Sequence, residues 1–271
     1  MSGLTLSSAW YSSQLATIFF AILAATAAFS AAYPLAYLSI TVSLAISLYQ
    51  ALTAEAKSPA PAAVAGGDTP NAKSDSAADK DTATGSLKKL VGPARKHPTT
   101  PYVLLALGHL LVFPRFTLTL LPFVLFAFFH AINYTRTFVL PVLPVSEGLK
   151  SRGKSVLEHV NSRYNEAAFR LAVWVQLLCF AIEVLWAVVM TPLNLVGYGD
   201  GRLLLNWAAA AGWLVFIGTL QSQNLLMKAA INQVVTNVDG VVSDPRVPQQ
   251  ARDVWARTKH VVRYKDLNHV Q

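Results

Sequence analysis

The residue whose type and position most clearly suggest a chemical role is Glu183, an acidic side chain inside the apolar run CFAIEVLWAVVM. A carboxylate is costly to bury in a hydrophobic segment, so residues of this kind commonly carry ions or protons or bind a ligand. The alternative is a packing role, in which Glu183 is protonated or hydrogen-bonded to Gln176 or to another helical hairpin. Because the apolar runs contain no second acidic residue, we favour the packing role.

The remaining side chains form no recognised catalytic arrangement. The sequence contains no GxSxG, HExxH, Walker or GxGxxG motif, and its six histidines show no paired ligand spacing. The single cysteine, Cys179, cannot form an intramolecular disulfide. Two interpretations of His130 are open. It acts as a ligand or proton relay, or it lies at a helix end near the lipid headgroups, and we favour the second. We therefore expect a protein that is not an enzyme and that uses no metal and no cofactor.

The composition indicates the surroundings in which these residues act. Hydrophobic residues make up 54% of the 271-residue chain and charged residues only 13%, with a mean hydropathy of +0.42. Soluble domains carry about 25% charged residues. The sequence therefore predicts a membrane protein. The net charge of +8 is interpreted as a topology signal with attraction to anionic lipids, and no nucleic-acid-binding motif accompanies it.

Apolar runs predict the membrane helices, because a spanning helix needs about 20 apolar residues. The runs cover 14–32, 34–52, 101–113, 116–132, 171–190 and 203–220. No Lys or Arg precedes the first run, so we interpret it as a retained helix rather than a signal peptide. The third run is about 20 Å long at about 1.5 Å per residue. A turn at Pro114 and Arg115 avoids placing Arg115 at the bilayer centre, which costs about 2.5 to 3.5 kcal/mol.

Basic residues predict which segments lie in the cytosol. All but two of the 22 Lys and Arg residues fall in three long segments, and the two exceptions are Arg115 and Arg202. Basic loops remain cytosolic, so an even number of passes separates these segments. The predicted fold is an all-α polytopic membrane protein with three transmembrane or re-entrant hairpins and both termini in the cytosol. The hairpins cover 1–52, 101–135 and 171–222. The second is expected to be shallow, and the sequence does not decide whether it crosses the whole bilayer.

The cytosolic segments have distinct predicted structures. Residues 53–100 are rich in Ala, Pro, Gly and Ser, which predicts a disordered linker. Residues 136–170 form a basic loop or helix, and Pro141 and Pro144 are expected to end the preceding helix. The tail, 223–271, contains an amphipathic helix at 248–265. Small residues such as Ala208 and Gly212 favour close helix contacts. A second copy of the chain is therefore among the expected partners.

The tail helix is predicted to lie in the membrane interface. Its apolar face carries Val254, Trp255, Val261 and Val262, and basic residues border that face at Arg252, Arg257, Lys259 and Arg263. Apolar contact with acyl chains combined with basic contact to phosphates is typical of interfacial helices. The alternative is a helix packed against another cytosolic segment such as 156–168, and the two arrangements can coexist.

The stretch LPFVLFAFFHAINYTR resembles the signature of the transmembrane protein 33 family, which includes the fungal pore membrane proteins. The residues that carry the resemblance are His130, Tyr134, Thr135 and Arg136. Similar segments are CFAIEVL, NLLMKAAINQVV and DPRVP, so the resemblance covers roughly residues 101–259.

The resemblance implies a non-catalytic protein of the endoplasmic reticulum and nuclear envelope. It further implies membrane tubule shaping, reticulon-type proteins and nucleoporins as partners, and a part in the assembly or distribution of nuclear pores. The rival function from another class is a small transporter or channel that uses Glu183.

Overall fold

The computed structural model describes residues 2–26, 31–57, 97–113, 116–199 and 201–264. Residues 58–96 of the predicted linker 53–100 and the predicted turn at Arg115 lie outside these ranges. Residues 53–57, predicted as the start of the disordered linker, are instead helical. The side chains of Val261, Val262 and Arg263 also lie outside the described part, although the backbone there is helical. Predictions about these residues remain predictions.

All secondary structure within the described ranges is helical, which confirms the all-α polytopic class. The helices are α1 (Ser2–Ala25), α2 (Ala32–Lys57), α3 (Thr100–Leu111), α4 (Leu121–Tyr134), α5 (Glu147–Leu195), α6 (Leu203–Gln223), α7 (Leu225–Val242) and α8 (Gln249–Tyr264). A 3₁₀ turn precedes α4 at Thr117–Leu120, and a π-helical turn follows it at Thr135–Val139. Within the described residues, five helical segments can cross a membrane by length and composition, whereas α3 has only 12 residues.

Local sequence explains where these helices begin and end. Proline occupies the first turn of both α3 and α4, where its missing N–H needs no partner. Asn224 separates α6 from α7, and its side chain accepts hydrogen bonds from the backbone N–H groups of Leu226 and Met227. Gly197 and Gly201 have positive φ angles of 80° and 70° in the turn between α5 and α6, which favours glycine.

Two predicted boundaries differ from the structure. Residues 147–170 of the predicted basic segment 136–170 and the membrane span predicted after it form one continuous 49-residue helix, α5. Pro141 does not end the preceding helix, because helical structure continues as Leu140–Val142 after the π-helical turn. The chain becomes extended only at Leu143, since the residue before Pro144 disfavours helical backbone.

The three hairpins pack as layers. The second hairpin, α3 and α4, lies between the other two: α1 and α2 contact it on one side, and α5 and α6 contact it on the other. The interface core contains fully buried side chains from different hairpins, including Tyr37, Leu120, Cys179 and Trp213. Among the described residues, the two outer hairpins therefore pack against the middle layer rather than against each other.

The first two hairpins turn at the same level, well before the third. Tyr33, at the start of α2, accepts a hydrogen bond through its hydroxyl oxygen from the backbone N–H of Phe116 at 3.3 Å. The Phe113 ring lies against Gly212, where an added Cβ atom would be 2.8 Å from the ring. From Leu203 to Gly212 helix α6 rises about 13 Å. Helix α6 therefore extends about 13 Å beyond the level of Phe113.

Candidate functional site

Buried polar side chains meet at the tips of the first two hairpins. The Tyr37 hydroxyl is hydrogen-bonded to the Thr119 hydroxyl, and the Tyr33 hydroxyl lies 3.4 Å from His109 Nδ1. The Tyr37 ring stacks on the His109 ring with a centroid distance of 5.0 Å. His109 also meets Trp213 edge to face at 5.9 Å. This group, which we call the tip cluster, joins all three hairpins.

Sequence reasoning missed the tip cluster. Histidine spacing assigned no role to His109, and the partners of His109 are far away in the chain. One signal was present: Tyr33 and Tyr37 are four residues apart at the start of α2, so both lie on one face of the helix. Polar aromatic residues on one face of an apolar helix indicate a polar partner on a neighbouring helix.

A cavity of about 1010 Å³ lies beside the tip cluster and contains the Glu183 side chain in its wall. It is bounded by residues of the two hairpin tips and of α5 and α6. The lining residues used below are Tyr33, Phe113, Phe116, Glu183 and Trp186. The cavity exists because the two shorter hairpins stop before the end of the α5–α6 hairpin.

Glu183 is only 3% exposed, and its Oε1 atom has no hydrogen-bond partner among the described residues. The predicted hydrogen bond to Gln176 is not formed: Gln176 lies within hydrogen-bonding reach of the Tyr102 hydroxyl instead. The two side chains are seven residues apart on α5, two turns along the helix, which is too far for contact. Glu183 is thus a buried polar residue of an apolar helix, with an open acceptor atom that can bind a proton or a cationic group; its position inside a membrane remains a prediction.

The family-signature residues meet at the opposite end of the bundle. The His130 ring contacts Trp10 of α1 edge to face at 5.5 Å, and Tyr134 stacks on Tyr11 at 4.6 Å. The Tyr11 hydroxyl is hydrogen-bonded to the Thr135 hydroxyl at 2.9 Å. These contacts attach α1 to the end of α4.

Arg136 extends the same junction to α5. Its Nη1 atom lies 3.3 Å from a carboxylate oxygen of Glu158. Because this ion pair is partly exposed to solvent, its contribution to stability is at most about 1 kcal/mol. The signature residues therefore connect three helices at one edge of the bundle, and this packing explains their proximity in the sequence.

The tail helix α8 docks against α7 through Asp239. Trp255 Nε1 donates a hydrogen bond to Asp239 Oδ1 at 2.7 Å, and Lys259 forms an ion pair with the other carboxylate oxygen. Trp255 also packs against the apolar core of the bundle. The tail helix therefore packs against another segment of the chain, as the alternative interpretation predicted. Its partner is α7 rather than segment 156–168.

The other predicted membrane-binding residues of α8 differ in their surroundings. Arg252 donates hydrogen bonds to the backbone carbonyls of Val247 and Pro245, so it supports the turn that leads into the helix. Val254 is 65% exposed and Arg257 is also exposed. Membrane contact stays a prediction for this helix, and Val254 and Arg257 are the described side chains available for it.

Comparison with known proteins gives one relevant similarity. No family model matches the chain, and no solved structure matches it. Over 171 residues the chain is 26% identical to the Pore membrane protein of 33 kDa of Saccharomyces cerevisiae, a match that covers 63% of this chain. The chain spans 57% of the length of that relative. The sequence similarity to a pore membrane protein confirms the resemblance that the residues around His130 indicate.

Proposed function

We propose that this chain is a non-catalytic membrane protein of the endoplasmic reticulum and nuclear envelope that stabilises curved membrane and contributes to the assembly or distribution of nuclear pore complexes. The observation that carries the proposal is the unequal depth of the hairpins. Two of them turn at the level of Phe113 and Phe116, and only α5 and α6 continue beyond that level.

The cytosolic edge of the bilayer lies near the signature residues in this proposal, because the basic residues of 136–170 follow them directly. From Trp10, which contacts His130, to Ala25 helix α1 rises about 22 Å. A hydrocarbon core is about 30 Å thick. Although α1 and α2 are each long enough to cross a membrane, the part of α1 beyond this edge is too short. By contrast, α5 rises about 37 Å from Arg170 to Leu195.

Unequal depth produces a wedge. Helices α1 to α6 all occupy the cytosolic leaflet, whereas only α5 and α6 continue through about the last 8 Å of the hydrocarbon core to the far headgroups. A protein that occupies more area in one leaflet favours bending of the membrane towards that leaflet, as interfacial helices do by inserting into one side. The wedge therefore favours positive curvature of the cytosolic surface, the curvature found on membrane tubules.

The cytosolic helices supply the surface for partners. The first half of α5 carries exposed charged residues, and α7 and α8 follow the last membrane helix on the same side. We propose anionic lipids, reticulon-type proteins and nucleoporins as partners of this surface. The name of the yeast relative as a pore membrane protein supports the proposed link to nuclear pores.

Localisation in live cells tests the proposal. The tagged full-length chain and a truncation ending at Val242 are imaged against markers of the endoplasmic reticulum and of nuclear pores. We expect the full-length chain on tubules and at the pore-containing envelope, and weaker enrichment for the truncation. Residence in the plasma membrane, unaffected by the truncation, would overturn the proposed location.

A reconstituted system tests the wedge directly. Membrane tubes are pulled from giant vesicles that carry the labelled chain with its termini outside, and the protein density on tube and vesicle is compared. We expect enrichment on the tube that increases as the tube narrows. A single-span membrane helix serves as control, and equal density of the full chain on tube and vesicle would contradict the wedge.

The transporter alternative has less support from the described residues. The cavity at Glu183 is bounded on the inner side by His109, which packs against Tyr37 and Trp213, and these three side chains are at most 3% exposed. This packed layer favours binding in the cavity over passage through it. Solute flux that is lost in a Glu183→Gln variant would support transport instead.

A further inference from the structure

Within the described residues, no donor or cation pairs with the Oε1 atom of Glu183 at the wall of the cavity. Glu183 is buried, lines the cavity and has an Oε1 atom with no hydrogen-bond partner in the described part of the chain. A buried carboxylate is stable only when it is protonated or paired with a hydrogen-bond donor or a cation. The space in front of Glu183 is large enough for a molecule that supplies such a partner, since binding cavities commonly measure about 300 to 1,000 Å³.

Aromatic rings form much of the wall around this carboxylate. Tyr33, Phe113, Phe116 and Trp186 all line the cavity. The face of an aromatic ring attracts cations, and clusters of such rings bind alkylated ammonium groups in preference to small hydrated ions. A carboxylate among aromatic rings is therefore chemically suited to an ammonium group.

The outer wall of the cavity is apolar and open. Leu111 and Val112 line it and are 73% and 45% exposed. Both residues lie at the tip of the second hairpin, within the membrane-embedded part of the bundle, so this side faces acyl chains. A ligand that enters here needs an apolar body.

We propose that this cavity is a binding site for an amphiphilic ammonium compound, whose cationic head pairs with Glu183 among the aromatic rings and whose apolar body lies against the outer wall. Two sources share this chemistry: a bilayer phospholipid with an ammonium headgroup, and a free long-chain amine. The inference requires a membrane-embedded chain but does not depend on the proposed role in curvature.

Photolabelling of the full-length chain tests the proposal. The chain is reconstituted in nanodiscs of phosphatidylglycerol, which lacks an ammonium group, and is labelled with a diazirine-bearing alkyltrimethylammonium probe. Labelled peptides are mapped by mass spectrometry. We expect labelling on the peptides that line the cavity, with about tenfold less labelling in Glu183→Gln at a subsaturating probe concentration. Glu166→Gln, an exposed position on the same helix, is the matched control and keeps wild-type labelling.

A second pair of variants tests the site without changing its charge. Leu205 lines the cavity, whereas the neighbouring Leu204 does not and is 84% exposed. Leu205→Trp fills part of the cavity and is expected to reduce labelling, and Leu204→Trp is expected to leave it unchanged. This pair keeps the proposal testable if Glu183→Gln fails to fold, which a thermal unfolding measurement on each variant would show.

The lipid composition distinguishes the two sources. If phosphatidylcholine added to the nanodiscs suppresses labelling, the ligand is a bilayer lipid; if labelling persists, it is a free amine. Equal labelling by a neutral alkyl-alcohol probe, or wild-type labelling in Glu183→Gln, would overturn the proposal. Labelling seen only in Arg115→Gln and not in the wild-type chain would also overturn it, because the chain's own guanidinium would then occupy the site.

Discussion

Replacement of Asp239 by alanine should release the tail helix from the bundle. Asp239 is the acceptor for the two polar docking contacts of α8, from the indole N–H of Trp255 and from the ammonium group of Lys259. Both contacts end in the same carboxylate, so one substitution removes the two together. The alanine side chain is also the best helix former, so α7 itself should persist.

The expected loss of docking free energy depends on how buried Asp239 and its partners are. A hydrogen bond to a charged group contributes about 1.5 to 3 kcal/mol. The Lys259 and Asp239 side chains are 27% and 34% exposed, and solvent screening limits such an ion pair to less than about 1 kcal/mol. We therefore expect Asp239→Ala to weaken docking by about 2 to 3 kcal/mol, which corresponds to a change of about 30- to 160-fold in the docking equilibrium.

Hydrogen exchange measures this equilibrium. In the full-length chain, the amides of α8 should exchange faster in Asp239→Ala by a factor of that size, while the amides of α5 and α6 keep their rates. Asp253→Ala is the matched control, because Asp253 is exposed on α8 and contacts only Gln249 of the same helix among the described hydrogen bonds. The released helix should also increase binding of the chain's cytosolic side to added anionic vesicles.

Two outcomes would refute this reasoning. Exchange in α8 within about threefold of the wild-type rate would mean that Asp239 contributes less than about 1 kcal/mol to docking. Equal effects of Asp239→Ala and Asp253→Ala would mean that α8 responds to lost charge rather than to a lost contact. A double-mutant cycle with Trp255→Phe, which keeps the ring and removes the N–H donor, should give less than additive effects.

Three substitutions test the packing of the hairpins through the free energy of unfolding, measured by denaturing-detergent titration. Gly212→Ala should destabilise the chain by about 1 to 3 kcal/mol, because the new Cβ would lie 2.8 Å from the Phe113 ring. Gly240→Ala, where no atom lies within 4 Å of the new Cβ, should stabilise α7 by about 0.5 to 1 kcal/mol, and a loss of stability there would contradict the difference between the two sites. Tyr37→Phe should cost about 1 to 2 kcal/mol through the lost hydrogen bond to Thr119; no change would mean that the buried hydroxyl contributes nothing.

Local patterns were sufficient to predict most of the helical elements. The six predicted apolar runs correspond to the α1–α2, α3–α4 and α5–α6 hairpins, and the tail helix predicted at 248–265 is present as Gln249–Tyr264. Hydropathy and helical periodicity are properties of neighbouring residues, so a single sequence reveals them. The continuity of α5 was less evident, because its first half is polar and its second half apolar although the helical backbone is the same.

The candidate site was only partly predictable. Glu183 stood out because a charged residue in an apolar run is rare, but its surroundings were not predictable from α5 alone. The contact between Tyr33 and His109 joins residues 76 positions apart. The prediction for Trp255 was based on an apolar face that suits lipid and protein equally well, and the structure places this side chain against Asp239.

The sequence by itself therefore determined the membrane class, the helices and the segments expected in the cytosol, because each depends on residues within a few turns of one another. Only the tertiary structure decided the depth at which the hairpins turn, the cavity beside Glu183 and the docking of the tail. These features depend on which helices are neighbours and at what relative height. An apolar surface specifies that a helix is buried, but the shapes and polar groups of the partner helices determine where it comes to rest.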